Sequence, residues 1–502
     1  MKSPARKLSE DADVWRFATL AVALVLFRSI VPIWYEGFDF DSDQAIVGLM
    51  AKHLAEARTF PLFFYGQNYM LGVQAWLAAP LFLVIGRSSV FLLRLPLVAI
   101  NCAVAVLLIA GLVKNVKIRP GLAFVAALPF IMPTPIAGSR LLQTLGASVE
   151  PFLYVLVLWT LRRRPFLFGA VLGVGFLHRE FTIFAVPALL VVEALEGTRL
   201  TRATAGRLLR VAVSFALVWG IVDVVKRHLS GSGPSAGEIQ TAPLTLQMQT
   251  LMGKLCLAPQ EVIARFDSFF VDCLPDLFGT RRLPMNALGL NSTMTTGSIV
   301  LASALAVAAM IMVARPGKAR AGQPLGFCWY LGLIGVQAAL AYPLSCEIVP
   351  GVPGVLRYAL LVLLLPIACF TWFVTREHAR GTAAAVVCAF VLCAAINVRD
   401  HANVLLEYRT DPPPNKFRGL SDYLVAHQIK YARAPYWDSY IVDFMSDEQA
   451  IVASTGKVRI DEYQRRVDQH RDIAVDIRRV PCSGDIRFDA WCISVPVHGG
   501  QK

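Results

Sequence analysis

Long apolar runs leave this chain few places to fold. A helix needs roughly 20 mostly apolar residues to cross a hydrocarbon core, somewhat fewer where one end is buried in protein. Runs of that kind stand at 14–34, 70–86, 89–113, 119–137, 146–161, 165–195, 208–225, 297–314, 325–343, 355–375 and 381–398. The run 165–195 is too long for one crossing and carries His178, Arg179 and Glu180 at its middle, so it reads as two short helices meeting at a polar elbow. Across 502 residues the sequence is 56% hydrophobic and only 17% charged, with a mean hydropathy of +0.55, which excludes an ordinary soluble fold. The expected class is an α-helical polytopic membrane protein with roughly 10–12 transmembrane helices.

A net charge of +13 would suit nucleic acid, but the basic residues gather in short loops, and that pattern sets membrane topology instead. With the N-terminus in the cytoplasm, Lys2, Arg6 and Lys7, then Lys114, Lys117 and Arg119, then Arg162, Arg163 and Arg164 fall inside, as do Arg199, Arg202, Arg207 and Arg210, then Arg315, Lys318 and Arg320, then Arg376 and Arg380. This placement requires the run 70–86 to dip into the outer face without crossing. It also turns the elbow near Arg179 toward the outer side, and leaves Lys226 and Arg227 as a mild exception. The first run lacks a small-residue cleavage site before the acidic stretch that follows, so it is expected to stay as an anchor.

The same alternation puts 35–88, 226–296, 344–354 and the tail from 399 outside. The expected organisation is a membrane domain over 1–398, with outer loops 35–88 and 226–296, followed over 399–502 by a linker and a small soluble α/β domain. "DPPPNK" at 411–416 reads as the linker, and "YIVDF", "AIVAST" and "WCISVPV" read as short segments of the α/β unit. In the first outer loop, Ile46, Leu49, Met50 and Leu54 recur at helical spacing while Lys52, His53, Glu56 and Arg58 take the other face. Such a helix is expected to lie along the membrane surface. "GSGPSAGE" at 231–238 reads as flexible. Cys256 and Cys273 share one outer loop and Cys482 and Cys492 share the tail, so in an oxidising compartment each pair is placed to close a disulfide.

Chemistry gathers in a few places. Asp39, Asp41 and Asp43 stand within five positions directly after the first apolar run. Asp41 or Ser42 suits the N-cap of the loop helix, with Gln44 three residues after Asp41 completing a box-like pattern. Alternatively, one of these carboxylates, held at the membrane boundary by a helix start, serves as general base. Glu150 opens an apolar run, where a carboxylate is costly to dehydrate. The triplet His178, Arg179 and Glu180 is expected to face a cavity or pair internally for the same reason. Arg357 and Tyr358 open the run "RYALLVLLLPIACF", and arginine offers planar, bidentate recognition of phosphate. A divalent cation bound through the clustered carboxylates stays open, and no other cofactor is expected. Neither a GxGxxG after a strand nor a P-loop supports a sugar-nucleotide donor.

The stretch "DSDQAIVGLMAKHL" followed by "FPLFFYGQNYMLGVQAWLAAPLFLVIGRSSVFLLRLP" resembles the polytopic GT-C glycosyltransferases: the protein O-mannosyltransferase and aminoarabinose-transferase relatives and the RgtA/B/C/D-like group. The resemblance is clearest over residues 14–200. It implies a bacterial inner-membrane enzyme with its C-terminal domain outside the cytoplasm. Such an enzyme performs inverting transfer of a sugar from a polyprenyl-phosphate donor to a hydroxyl acceptor, whether cell-envelope glycan, lipopolysaccharide, glycolipid or protein. By the same resemblance Asp43 is the catalytic carboxylate, with Asp41 as substitute because Gln44 replaces the glutamate of the family's Asp-Glu pair. Glu150, together with Tyr65 and Gln67, would bind acceptor or sugar, and Arg357, Tyr358, Arg179 and His178 would hold the lipid phosphate. The alternative from another class is a transporter or lipid flippase. Transporters usually carry two related halves with interrupted helices at corresponding positions, whereas this chain concentrates its unusual features in one outer loop and a one-sided tail.

Overall fold

The computed structural model describes residues 4–67, 69–145, 148–197, 202–229, 253–279, 296–315, 317–319, 324–349, 353–482 and 486–494. The segment 231–238 lies outside the described residues.

Helices form where the apolar runs stand. Among the described residues six are long and apolar enough to cross a membrane: Ala12–Trp34, Val90–Val116, Arg202–Leu229, Gly326–Leu344, Leu356–Val374 and Arg380–Thr410. Five shorter apolar helices accompany them: Val73–Ile85, Pro120–Ile131, Glu150–Leu161, Pro165–His178 and Ile299–Ala314. Prolines at the starts of Pro120–Ile131 and Pro165–His178 stand in the first helical turn, whose amides have no intrahelical partner, so the missing N–H costs no hydrogen bond. The elbow forms as the sequence predicts. Pro165–His178 stops at Arg179, whose backbone is extended at φ −150° and ψ 125°, and a tight turn of 3-10 helix over Glu180–Phe184 leads into Ala185–Leu195. Helix Arg202–Leu229 then packs closely on Pro165–His178. The approach depends on Gly169, where a Cβ would stand 2.4 Å from the carbonyl oxygen of Val211; small residues at such crossings let two backbones meet.

Beyond the last long helix, which runs without a break to Thr410, the chain builds a five-stranded mixed sheet. Its order is Ile451–Ser454, Tyr431–Ala434, Val475–Arg479, Trp491–Ser494 and Ile486–Phe488. The first three strands are parallel and the last two join antiparallel. Helix Tyr436–Met445 connects two of the parallel strands and packs against the loop helix Ser42–Ala55. Gly48 makes room for the Phe444 ring, which a Cβ would approach to 2.5 Å.

That contact corrects one expectation. Ser42–Ala55 does not lie with its polar face open: Lys52 and His53 are buried against the C-terminal domain. Glu448 accounts for this, because it stands 3.0 Å from Lys52, 3.2 Å from His53 and 2.9 Å from Arg58, so the charged face is neutralised by protein. A second correction concerns the cysteines. Cys482 and Cys492 are bonded, but Cys256 pairs with Cys346, and Cys273 is buried and free. The backbone decides the partner: the Cys256 amide donates to Leu344 at 3.0 Å and the Cys346 amide to Lys254 at 2.8 Å, so these two segments run side by side.

Candidate active site

The three aspartates lead to different places. Asp39 adopts a left-handed backbone at φ 48° and turns inward, pairing with Arg140 at 2.9 Å and accepting from Ser139 at 2.8 Å and Gln143 at 3.1 Å. Asp41 is the N-cap of Ser42–Ala55, accepting the Gln44 amide at 2.9 Å. Burial, then the neighbouring Asp43 carboxylate, push the Asp41 carboxyl up to about 6. Gln44 is framework: its amide nitrogen donates to the Asp39 carbonyl at 2.7 Å and its oxygen accepts from buried Arg94 at 3.1 Å. Asp43, one residue into the helix, faces a cavity of about 430 Å³ and accepts from the Tyr436 hydroxyl of the C-terminal domain.

Arg179 from the elbow, Arg357 and Tyr358 from the start of the penultimate long helix, and Gln67 from the turn after the loop helix line the same cavity. Arg357 donates to the Tyr358 hydroxyl at 3.4 Å, and Arg179 donates to the Leu145 carbonyl while its Nε has no partner. The structure therefore brings Asp43, Gln67, Arg179, Arg357 and Tyr358 together across more than 300 residues of sequence.

The other sequence candidates do not line it. Tyr65 is buried with its hydroxyl 3.0 Å from Nδ1 of His53, inside the network around Glu448. His178 turns to the Tyr154 hydroxyl at 3.0 Å. Glu150 is buried and accepts from Gln74. Each of these polar groups sits where dehydration would be costly without a partner, and each has found one within the helical framework.

Several cavity residues were missed in the sequence. Tyr436, Trp437, Lys457 and Arg459 come from the C-terminal domain, and Lys254 and Glu347 come from the two segments that the Cys256–Cys346 bond joins. Lys254 lies 3.7 Å from Glu347 and 3.4 Å from the Tyr69 hydroxyl. The one local signal was the aromatic pair Tyr436–Trp437 after Pro435, which opens a helix. Nothing local marks Lys457 or Arg459.

Each of the three carboxylates already has a protein partner. Asp39 is committed to Arg140, Asp41 to the helix amide and Asp43 to Tyr436. Among the described residues no group of three or more His, Cys, Asp or Glu side chains is placed to hold a metal.

No protein-family model matches the chain, and no curated protein matches it. Solved structures do. The crystal structure of ArnT from Cupriavidus metallidurans bound to undecaprenyl phosphate aligns over 95% of this chain and 97% of that one, with a TM-score of 0.57 at 11% identity. The apo state of ArnT from the same organism aligns over 92% and 93%, with a TM-score of 0.52 at 11% identity. At that identity the likeness speaks to fold. The alignment takes in nearly the whole chain, membrane helices and small terminal domain alike, and the architecture is GT-C-like in fold.

Proposed function

We propose that the protein transfers a sugar from a polyprenyl-phosphate donor to an acceptor hydroxyl at the outer face of a bacterial inner membrane. One observation carries the reading: a single cavity holds a carboxylate, Asp43, together with two guanidinium groups, Arg179 and Arg357, that arise at the ends of apolar helices and whose described hydrogen bonds go to neutral groups, the Leu145 carbonyl and the Tyr358 hydroxyl. A polyprenyl tail stays in the bilayer, so its phosphate is presented at helix ends. Guanidinium groups there suit a departing phosphate, because preorganised donors stabilise charge as it develops.

In this reading Asp43 takes the proton of the acceptor hydroxyl, whose oxygen attacks the anomeric carbon from the face opposite the phosphate. The bond to phosphate breaks with inversion, and Arg357 and Arg179 hold the released anion. Tyr436 fixes the Asp43 carboxylate through its hydroxyl. Gln67 and Tyr358 serve as polar contacts for substrate, while Asp41, Glu150, Tyr65 and His178 keep the framework in place. Residues 1–398 act as the membrane domain, and the C-terminal domain from 399 completes the site from outside. The ArnT structure with undecaprenyl phosphate supports this donor class by its fold.

The test uses purified full-length protein in detergent with radiolabelled polyprenyl-phosphate sugars, reading release of free polyprenyl phosphate. General-base catalysis contributes about 10² to 10⁴-fold, so Asp43→Asn should lose turnover by that factor while still binding undecaprenyl phosphate. Full activity in Asp43→Asn, or lipid movement without cleavage in the wild type, refutes the proposal.

A further inference from the structure

Cationic charge in the cavity exceeds what the proposed donor needs. Arg179, Lys254, Arg357, Lys457 and Arg459 line it against two carboxylates, Asp43 and Glu347. Lys254 is matched by Glu347. Arg179 and Arg357 belong to the membrane helices, where a polyprenyl phosphate is confined. Lys457 and Arg459 belong to the soluble domain, directly after strand Ile451–Ser454.

Arg459 is 5% exposed, yet its hydrogen-bond partners are neutral. It donates to the Gly66 carbonyl at 3.2 Å, to the Tyr436 hydroxyl at 3.4 Å and, in the amide orientation that satisfies both groups, to the Gln67 side-chain oxygen at 3.0 Å. Neither it nor Lys457 makes an ion pair among the described residues. The carboxylates nearest them, Asp43 behind the Tyr436 hydroxyl and Glu347 beside Lys254, do not touch either cation; a buried guanidinium with no counter-charge in contact is costly, and a second cation two residues away adds repulsion. Burial and then Arg459 lower the Lys457 pKa, in keeping with that repulsion. An anion would relieve both. Beside them Trp437, 53% exposed, lines the same cavity; an indole presents a large flat apolar face with little conformational entropy to lose.

We propose that Lys457 and Arg459, with Trp437 beside them, form the acceptor subsite and take a sugar that carries an anionic group, a carboxylate or a phosphate. The word acceptor rests on the glycosyl-transfer reading; the anionic sugar site itself does not. In the reaction the acceptor hydroxyl oxygen bonds to the anomeric carbon and its proton passes to Asp43. The electron pair of the broken bond leaves with the polyprenyl phosphate. The acceptor's anionic group is held and unchanged.

The experiment titrates full-length protein in detergent with galacturonate, glucose 6-phosphate and glucose, following tryptophan fluorescence, with and without saturating undecaprenyl phosphate. At least one anionic sugar should bind about tenfold more tightly than glucose, a difference of about 1.4 kcal/mol, and should still bind when the lipid is present. Preference for galacturonate assigns the carboxylate, and preference for glucose 6-phosphate assigns the phosphate. Lys457→Ala should lower anionic-sugar affinity about tenfold, Lys457→Arg should restore it, and neither should change affinity for undecaprenyl phosphate. Equal binding of all three sugars, no binding of the anionic ones, or their displacement by undecaprenyl phosphate overturns the proposal. So does weaker lipid binding in Lys457→Ala, which would return these cations to the donor. Loss of the transfer reading in the Asp43 assay would leave the binding result standing, so the two failures are distinguishable.

Discussion

Replacing Glu448 with alanine should loosen the C-terminal domain from the loop helix that carries Asp43. The Glu448 side chain is 7% exposed and lies 3.0 Å from Lys52, 2.9 Å from Arg58 and 3.2 Å from His53, and it accepts from the Tyr463 hydroxyl at 2.7 Å. Three of those four partners belong to residues 52–58, so the carboxylate is the main ionic tie between the two parts. Removing one partner of a buried ion pair costs about 3–5 kcal/mol. The lower end applies here, because Arg58 is 33% exposed and solvent screens it, and because Lys52 keeps Asp447 at 2.8 Å. A loss of about 3 kcal/mol raises the undocked population by about 100-fold. Hydrogen exchange of peptides covering 42–55 and 436–445 should speed up accordingly, while Glu462→Ala, whose contact with Arg58 is long at 3.4 Å, should change little. Acid should mimic the mutation. Burial alone would raise the Glu448 pKa, but the hydrogen bond with His53 and the nearby His53 and Lys52 charges hold it well below the ordinary carboxylate value of 4.5. Its contribution is therefore fully present above that value and fades as pH falls through the folded pKa. Unchanged exchange in Glu448→Ala, with transfer activity kept, would refute the assignment.

Tyr436→Phe removes the hydroxyl that Asp43 accepts but keeps the ring packing. A hydrogen bond to a charged group is worth about 1.5–3 kcal/mol, so turnover should fall roughly 10- to 100-fold with an unchanged melting temperature; unaltered kcat would show that Asp43 is positioned without it. The double variant Cys256→Ser with Cys346→Ser frees the segments carrying Lys254 and Glu347, and should raise KM more than it lowers kcat. Asp41→Asn keeps an N-cap of equal quality and cannot ionise. The Asp41 carboxyl titrates at about 6 when folded against an ordinary 3.8, so ionising it costs the wild-type fold stability as pH rises through that interval. Asp41→Asn should therefore melt higher than wild type at neutral pH, with the gain shrinking to nothing near pH 4, and should retain activity; large loss of turnover would move the catalytic role toward Asp41.

Composition and pattern along the chain determined where the membrane helices stand, the break at His178 to Glu180, and a cap at Asp41 or Ser42, of which the structure uses Asp41. Each is a short-range matter: a run long enough for lipid, a polar triplet too costly to leave in it, a side chain three residues from the amide it satisfies. That Asp43, Arg179 and Arg357 stand at or beside the ends of apolar helices was legible for the same reason. Tertiary structure alone decided that these three share one cavity with Tyr436, Lys457 and Arg459, that Cys256 meets Cys346, and that Tyr65, His178 and Glu150 turn away from it. Lys52 and His53 were legible only as members of the polar face of the loop helix, because helical periodicity records which residues share a face but not what covers that face. Glu448, nearly 400 positions further on, covers it, and such pairing follows from how the folded parts pack, which no local stretch of residues encodes.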